Sequence, residues 1–129
     1  MTKRDNMAIL IVDDSAMART AIKLMLHEKG IYNIDEAGNG SDAIQILKDH
    51  KMDLVFMDIN MNGLSGIETS RLIMDYFKGI GKECPKIVAV SGNAYKDCYL
   101  SCKEAGMIGY YRKPVVAPLL QEILSAHLI

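Results

Sequence analysis

Short apolar runs alternate along the chain with longer segments whose apolar residues recur every three to four positions. The runs are typical of buried β-strands, and the periodic segments are typical of helices that turn one face to a core. Three runs (AILIV, LVFM and IVAV) are nearly all apolar, as expected for central parallel strands covered on both faces. The predicted strands are residues 8–12, 33–37, 54–57, 86–90 and 109–112, with the more polar 33–37 at an edge.

A helix is predicted after each strand. The first begins at the capping residue Ser15 and ends before Gly30, and the last carries Pro118 in its first turn. The predicted helices are residues 15–29, 41–49, a segment from about 66, about 96–105 and about 117–128. Five strand-then-helix units in succession imply an α/β fold, in which one doubly wound parallel sheet has helices on both faces.

Composition narrows the class of protein. A chain of 129 residues is one domain, and its 16 acidic and 15 basic residues are mixed along the sequence, which argues against direct nucleic-acid binding. No apolar stretch is long enough for a membrane span or a signal peptide, so we expect a cytoplasmic protein. The cysteines (Cys84, Cys98 and Cys102) form no CxxC pair and are predicted to be free, buried or half-buried thiols.

Carboxylate, hydroxyl and ammonium side chains follow four of the predicted strands. Asp13 and Asp14 follow the first, Asp58 the third, Ser91 the fourth and Lys113 the fifth. The carboxyl ends of parallel strands meet at one edge of the sheet, where ligands of doubly wound folds bind. Taken alone, the two adjacent acids could cap the next helix, and each other residue could be an ordinary loop or turn residue. Their joint placement at one edge favours a functional site.

This set of residues indicates phosphoryl transfer onto an aspartate. Three converging carboxylates repel one another unless a cation joins them, and Mg²⁺ suits a site with few protein oxygens and a phosphate. Lys113 adds positive charge and Ser91 adds a hydrogen-bond donor. Both would stabilise the negative charge spread over a transferred phosphoryl group, and a carboxylate can be the nucleophile.

Four motifs stand in order at the predicted strand ends: ILIVDDS, MDINMNGLSG, AVSGNA and EAGMIGYYRKPV. Through them the chain resembles a response-regulator receiver domain of two-component and phosphorelay systems, from about Met7 to the carboxyl end. The resemblance implies a flavodoxin-like sheet with strand order 2-1-3-4-5 and five helices. It also implies a receiver domain over residues 7–129, after a polar tail over residues 1–6.

The resemblance assigns a role to each matching residue. Asp58 would be the phospho-acceptor. Asp14 would bind Mg²⁺ directly, Asp13 would act mainly through water, and the backbone carbonyl of Asn60 would complete the metal shell, with Mn²⁺ as an alternative ion.

Four further residues have implied roles. Ser91 and Lys113 would hold the phosphoryl oxygens, and the peptide bond from Lys113 to Pro114 would be cis. Tyr110 would be the switch aromatic and is favoured over the adjacent Tyr111 only by its offset from Lys113, since either tyrosine could be an ordinary core or half-buried strand aromatic.

The loops contain one departure from the family pattern. Asn62 stands where proline is usual, and Asn62-Gly63 remains favourable turn chemistry, so we expect a changed loop and an active site. Asn60 and Asn93 are candidates for tuning dephosphorylation. The SGNA segment resembles receivers attached to hybrid histidine kinases, and the chain is either a free-standing regulator or a piece of such a kinase.

The predicted function is a signalling module, not a turnover enzyme. It takes a phosphoryl group from a histidine kinase or a histidine phosphotransfer protein, and it assists only its own phosphorylation and dephosphorylation. Because EAGMIGYYRK lacks the paired acids by which DNA-binding relatives dimerise, we expect a monomer. Two alternatives are a metal-dependent phosphatase, which would have a second acid where this chain has Asn60, and a scaffold that no longer takes phosphate.

Overall fold

The computed structural model describes residues 6–92 and 99–128, which form ten elements of secondary structure. Strands and helices alternate strictly along the chain, as the hydrophobic pattern predicts. The elements are β1 (Ala8–Val12), α1 (Ala16–Glu28), β2 (Asn33–Ala37), α2 (Gly40–Asp49), β3 (Leu54–Asp58), α3 (Gly66–Gly79), β4 (Lys86–Ser91), α4 (Tyr99–Glu104), β5 (Gly109–Arg112) and α5 (Ala117–His127).

All five strands are parallel and form one sheet in the order β2-β1-β3-β4-β5. The predicted order is therefore confirmed, and the polar strand β2 lies at an edge as expected. Strands β3 and β4 each extend one residue further than predicted, because Asp58 pairs with Val90 and Ser91 pairs with Arg112. Asp58 and Ser91 are thus the last residues of their strands and do not follow them.

The helices cover both faces of the sheet, and alternate strand residues contribute to two separate hydrophobic clusters. Leu10, Met57 and Ala89 lie in the cluster that also contains buried residues of α2, α3 and α4. Ile11 and Phe56 lie in the other, against α1 and α5. Each face of the sheet is therefore buried, which explains the nearly continuous apolar strands.

Side-chain caps fix where two helices begin beside the strand ends. The Ser15 hydroxyl accepts a hydrogen bond from the amide of Ala18, so three residues separate the end of β1 from the start of α1. Ser65 and Glu68 form a reciprocal capping box at the start of α3. The loops after β1 (residues 13–15) and after β3 (residues 59–65) therefore each end at a capped helix start.

The peptide bond between Lys113 and Pro114 is cis. Cys84 is a half-buried free thiol and Cys102 is buried, while Cys98 and the predicted helical residues 96–98 lie outside the described part of the chain. Within the described ranges, every helix is too short or too polar to cross a bilayer.

Candidate functional site

Three carboxylates converge at the carboxyl edge of the sheet. Asp13 and Asp14 follow β1, and Asp58 ends β3, the strand next to β1. Each side chain offers an oxygen atom, and these three atoms all lie within 4.8 Å of one another. Asp13 and Asp58 are buried, with relative exposures of 3% and 4%, whereas Asp14 is exposed. The cluster is therefore open to solvent on the Asp14 side.

Lys113, directly after β5, reaches into this cluster. Its Nζ lies 2.8 Å from Asp13 Oδ2 and 3.1 Å from Asp58 Oδ1, and its amide donates to the carbonyl of Ser91 at 2.9 Å. The ammonium therefore pairs with two buried carboxylates at once. Burial lowers the pKa of Lys113, but its hydrogen bonds to Asp13 and Asp58 outweigh burial and raise the pKa above its ordinary value.

Asp58 ionises less readily than an ordinary aspartate. Burial raises its pKa from 3.8 to about 6; the hydrogen bond from Lys113 opposes this rise, and the negative charges of Asp13 and Asp14 add to it. At neutral pH most Asp58 side chains are nevertheless ionised. The site thus holds a buried carboxylate whose negative charge is only partly compensated by the chain itself.

This raised pKa predicts how the metal-free protein responds to pH. A folded-state pKa near 6 against an ordinary 3.8 means that ionised Asp58 costs stability above pH 6, and that this cost disappears as pH falls toward 3.8. Asp58→Asn should therefore stabilise the metal-free protein by about 2–3 kcal/mol at pH 7 and by less than about 1 kcal/mol near pH 4. Urea unfolding in a chelator at the two pH values measures the difference.

A matched control separates this effect from general charge removal. Asp49 is exposed at the end of α2, and Asp49→Asn should change the free energy of unfolding by less than about 0.5 kcal/mol at either pH. Equal stability of Asp58→Asn and the unmodified protein at pH 7 would contradict a destabilising buried carboxylate.

Asp13 is held at several points. Its amide donates to the carbonyl of Ala37 at 3.1 Å, which extends the β1–β2 pairing by one step. Its carboxylate Oδ1 accepts from the amide of Ser15 at 2.9 Å, and its backbone carbonyl accepts from Arg19 Nη1 at 2.6 Å. We did not identify Arg19 from the sequence, where it reads as one more polar residue of a helix.

Gly66 is a second residue that sequence reasoning missed. A Cβ atom at this position would lie 2.2 Å from the carbonyl oxygen of Asp58 and 2.9 Å from Cα of Ile59. The amide of Gly66 also donates to the carbonyl of Ile59 at 2.9 Å. The first turn of α3 is therefore packed directly on the backbone that carries Asp58, and only glycine fits there. No local pattern in the sequence signals so close an approach.

Ser91 and the two adjacent tyrosines lie on β4 and β5. Ser91 is fully buried. Tyr110 on β5 pairs with Ala89, which lies two residues before Ser91 on β4. Tyr110 packs on the cluster beside α2, α3 and α4, whereas Tyr111 packs on the opposite face and hydrogen-bonds to His127 Nε2 at 2.7 Å. The side chains of Ala89 and Ser91 point to the same side of β4, because side chains alternate along a strand. Tyr110, which pairs with Ala89, therefore shares a face of the sheet with Ser91, and Tyr111 does not.

Of the remaining predicted site residues, Asn60 lies in the loop after β3. Asn60 is exposed, two residues after Asp58, and Gly63 adopts a left-handed conformation with φ of +78°, as an Asn-Gly turn requires. Asn93 lies outside the described residues. The structure thus brings together Asp13, Asp14, Asp58 and Lys113, with Ser91 beside Lys113, while Tyr110 is set back from the cluster on β5.

A parallel sheet of this order, with three carboxylates and a lysine at its carboxyl edge, is the architecture of a phospho-accepting signalling domain. The family model of the response regulator receiver domain matches residues 9–125, and the chain belongs to that family. Among curated relatives, chemotaxis protein CheY-3 of Vibrio cholerae is 35% identical over 125 residues, which cover 93% of this chain and 90% of that protein.

Solved structures agree with this fold. The receiver domain of the response regulator Ssk1 of Saccharomyces cerevisiae, crystallised with the histidine phosphotransfer protein Ypd1, has a TM-score of 0.87 and 26% identity, covering 94% of this chain and 88% of that one. Response regulator TrrA of Thermotoga maritima, in complex with Mg²⁺ and BeF, has a TM-score of 0.79 and 31% identity, covering 95% and 99%.

Other relatives are longer than this chain. It spans 30% of a protein-glutamate methylesterase from Natronomonas pharaonis and 10% of the osmosensing histidine protein kinase SLN1 of Saccharomyces cerevisiae. Receiver domains of this family therefore occur both nearly alone and within larger proteins.

The residues present fit a divalent cation. Three carboxylate oxygens within 4.8 Å of one another are hard donors, and Asp14 leaves the cluster open to solvent. Lys113 reaches Asp13 and Asp58 and supplies one positive charge for three carboxylates. A doubly charged ion would offset the repulsion that helps to raise the pKa of Asp58.

Proposed function

We propose that Asp58 is the residue on which this receiver domain accepts its phosphoryl group. The observation that carries the proposal is the ion pair between Lys113 Nζ and Asp58 Oδ1, at 3.1 Å, within the cluster formed with Asp13 and Asp14. Asp13 also pairs with Lys113, at 2.8 Å, but its other carboxylate oxygen already accepts a hydrogen bond from the amide of Ser15, so Asp58 is the better placed of the two buried carboxylates to attack a donor. The donor is a phosphohistidine of a histidine kinase or a histidine phosphotransfer protein, as the complex of Ssk1 with Ypd1 suggests by analogy.

The reaction moves one phosphoryl group between two side chains. A carboxylate oxygen of Asp58 attacks phosphorus, the phosphorus–nitrogen bond of the donor breaks, and its electron pair stays on the histidine nitrogen. The product is an acyl phosphate. Because the pKa of Asp58 is about 6, the nucleophile is mostly ionised at neutral pH without a separate base. The chain's own contribution is to position this carboxylate and to limit its solvation by burial.

Asp14, Asp13, Asp58 and the backbone carbonyl of Asn60 would hold Mg²⁺, and Mn²⁺ is the alternative ion. Asp14 is the direct ligand in this proposal because it is exposed, whereas the carboxylate of Asp13 is already held by Ser15 and Lys113. When bound, the ion supplies positive charge that stabilises the phosphoryl oxygens. The Mg²⁺ complex of TrrA supports this assignment by analogy.

Lys113 and Ser91 hold the phosphoryl oxygens in this proposal and begin the response to them. Lys113 exchanges its contact with Asp58 Oδ1 for a phosphoryl oxygen, and the Ser91 hydroxyl gains a charge-assisted hydrogen bond only in the phosphorylated state. The inward shift of Ser91 leaves space that Tyr110, on the same face of the sheet, moves to fill. The surface formed by α4, β5 and α5 then changes shape.

The partner docks near α1 and the loops at the carboxyl edge, where Asp14 is exposed. The protein acts in the cytoplasm, as a monomer, without contacting nucleic acid. Sedimentation with and without beryllofluoride tests the monomer, because dimers appearing only with this phosphoryl mimic would contradict it. Asn60 and Asn93 tune the hydrolysis of the acyl phosphate, which the domain assists in itself.

The proposed function is tested most directly by intact-mass analysis. Acetyl phosphate and Mg²⁺ should add one phosphoryl group to the unmodified protein, and an excess of chelator should prevent the addition. A protein that gains no mass in Mg²⁺ would support the alternative of a scaffold without phosphorylation. Continuous release of phosphate from unrelated phosphomonoesters would instead support the phosphatase alternative.

A further inference from the structure

Arg19 of α1 connects the acidic cluster to the neighbouring edge strand. Its Nη1 donates to the backbone carbonyl of Asp13 at 2.6 Å, and its Nε donates to Glu36 Oε1 on β2 at 3.1 Å. Lys23, one helical turn further along α1, lies 3.4 Å from the other oxygen of Glu36. The side chain of Arg19 is 19% exposed and that of Lys23 is 41% exposed, so Arg19 is the more enclosed of the two cations.

The carbonyl oxygen of Asp13, which Arg19 contacts, is coupled to the orientation of the next residue, Asp14. The carbonyl of Asp13 and the amide of Asp14 belong to one planar peptide group, so a hydrogen bond that fixes the oxygen fixes the whole plane. Asp13 is also fixed by Ala37, Ser15 and Lys113. The side chain of Asp14 is exposed. Arg19 constrains Asp14 through the peptide plane that precedes it.

We infer that Arg19 is a positioning residue, which orients the peptide between Asp13 and Asp14 so that the Asp14 carboxylate faces the divalent-cation site, and that Glu36 holds the guanidinium in place. The inference rests on the proposed function, because it concerns the ion that Asp14 would bind. Arginine suits this role because its planar fork donates in two fixed directions, to a carbonyl and to a carboxylate, whereas an ammonium is a single point of charge.

Replacing Arg19 should have two opposing effects on the affinity for Mg²⁺, one through charge and one through geometry. Removing a positive charge close to three carboxylates should strengthen the attraction for Mg²⁺, whereas releasing the peptide should weaken binding because the ligand is no longer held. Residues that orient metal ligands typically contribute about 10- to 100-fold to metal affinity. The charge of Arg19 is already paired with Glu36, so we expect the loss of orientation to dominate.

The test compares Arg19→Gln with Lys23→Gln by calorimetric titration of the unphosphorylated protein with Mg²⁺. Both variants lose one positive charge beside Glu36, but only the first loses the contact with Asp13. Arg19→Gln should bind Mg²⁺ about tenfold more weakly, and Lys23→Gln should stay within about twofold of the unmodified protein. Arg19→Lys retains the charge without the fork and should lie between them, which also serves if Arg19→Gln does not fold.

A second measurement needs no metal. In the metal-free protein, the ¹⁵N resonance of the Asp14 amide should shift in Arg19→Gln and not in Lys23→Gln, because it shares a peptide group with the carbonyl that Arg19 contacts. Unchanged affinity in Arg19→Gln, equal losses in both glutamine variants, an Arg19→Lys variant that binds like the unmodified protein, or an unmoved Asp14 resonance would each overturn the inference. If the unmodified protein binds no Mg²⁺, the proposed function fails, and the amide resonance still decides whether Arg19 positions this peptide.

Discussion

Asp58→Asn should take up no phosphoryl group from acetyl phosphate and Mg²⁺, although the variant should fold and should be more stable than the unmodified protein in the absence of metal. The amide group is close in size to the carboxylate, so the buried position at the end of β3 is retained. It is a far weaker nucleophile, and it cannot form the acyl phosphate in one displacement. Labelling should therefore fall below detection.

Intact-mass analysis over a time course, at saturating donor and Mg²⁺, measures this loss. Asp49→Asn, at the exposed end of α2, is the matched control and should be labelled at the rate of the unmodified protein. Labelling of Asp58→Asn to the same extent would place the acceptor elsewhere, with Asp13 and Asp14 as the next carboxylates to examine. Partial labelling confined to long incubations would indicate a secondary acceptor.

Asp14→Asn and Lys113→Ala should separate metal binding from phosphoryl transfer. Asp14→Asn removes the proposed direct ligand and should weaken Mg²⁺ binding by more than the roughly 10- to 100-fold that is typical for residues that only orient a ligand, with a smaller effect in Asp13→Asn. Lys113 is not a ligand of the ion in the proposal, so Lys113→Ala should retain Mg²⁺ binding, and the loss of its positive charge beside Asp13 and Asp58 should strengthen that binding if it changes it at all. Its phosphorylation rate at saturating Mg²⁺ should nevertheless fall by about 100-fold, because a preorganised donor to the phosphoryl group is lost.

Calorimetric titration gives the affinities, and intact-mass time courses at saturating Mg²⁺ give the rates. At saturating Mg²⁺ every variant carries the ion, so differences in phosphorylation rate do not reflect differences in metal affinity. If Lys113→Ala loses Mg²⁺ affinity as severely as Asp14→Asn, then Lys113 organises the metal-binding acids and does not chiefly contact the phosphoryl group. A wild-type rate in Lys113→Ala would remove it from the transfer altogether.

The hydrophobic pattern predicts the sheet and the position of the site because both depend on periodicity. Apolar runs locate the strands, and the rule for parallel sheets then brings Asp13, Asp58 and Lys113 to one edge. Local sequence does not determine the strand ends. Asp58 and Ser91 belong to β3 and β4 only because Val90 and Arg112 lie opposite them, and that pairing depends on the assembled sheet.

The residues missed from the sequence act through tertiary contacts. Arg19 reaches the carbonyl of Asp13 across a loop, and the proximity of Gly66 to Asp58 joins a helix start to a strand end. The choice between Tyr110 and Tyr111 also required the structure, because only the register of β5 on β4 shows which tyrosine shares a face with Ser91. The position of Tyr110, three residues before Lys113, favours the same tyrosine from the sequence but does not show that it shares a face with Ser91.

The packing of Gly66 on the Asp58 backbone gives the site a rigid wall. A Cβ atom would lie 2.2 Å from the carbonyl oxygen of Asp58, so the first turn of α3 is already in close contact with β3 and has little room to move toward it. In the proposed response, the displacement therefore takes place on the side of β4 and β5, the strands that carry Ser91 and Tyr110. Close packing on the α3 side of Asp58 would give the proposed response a direction, and the absence of a side chain at Gly66 is what permits that packing.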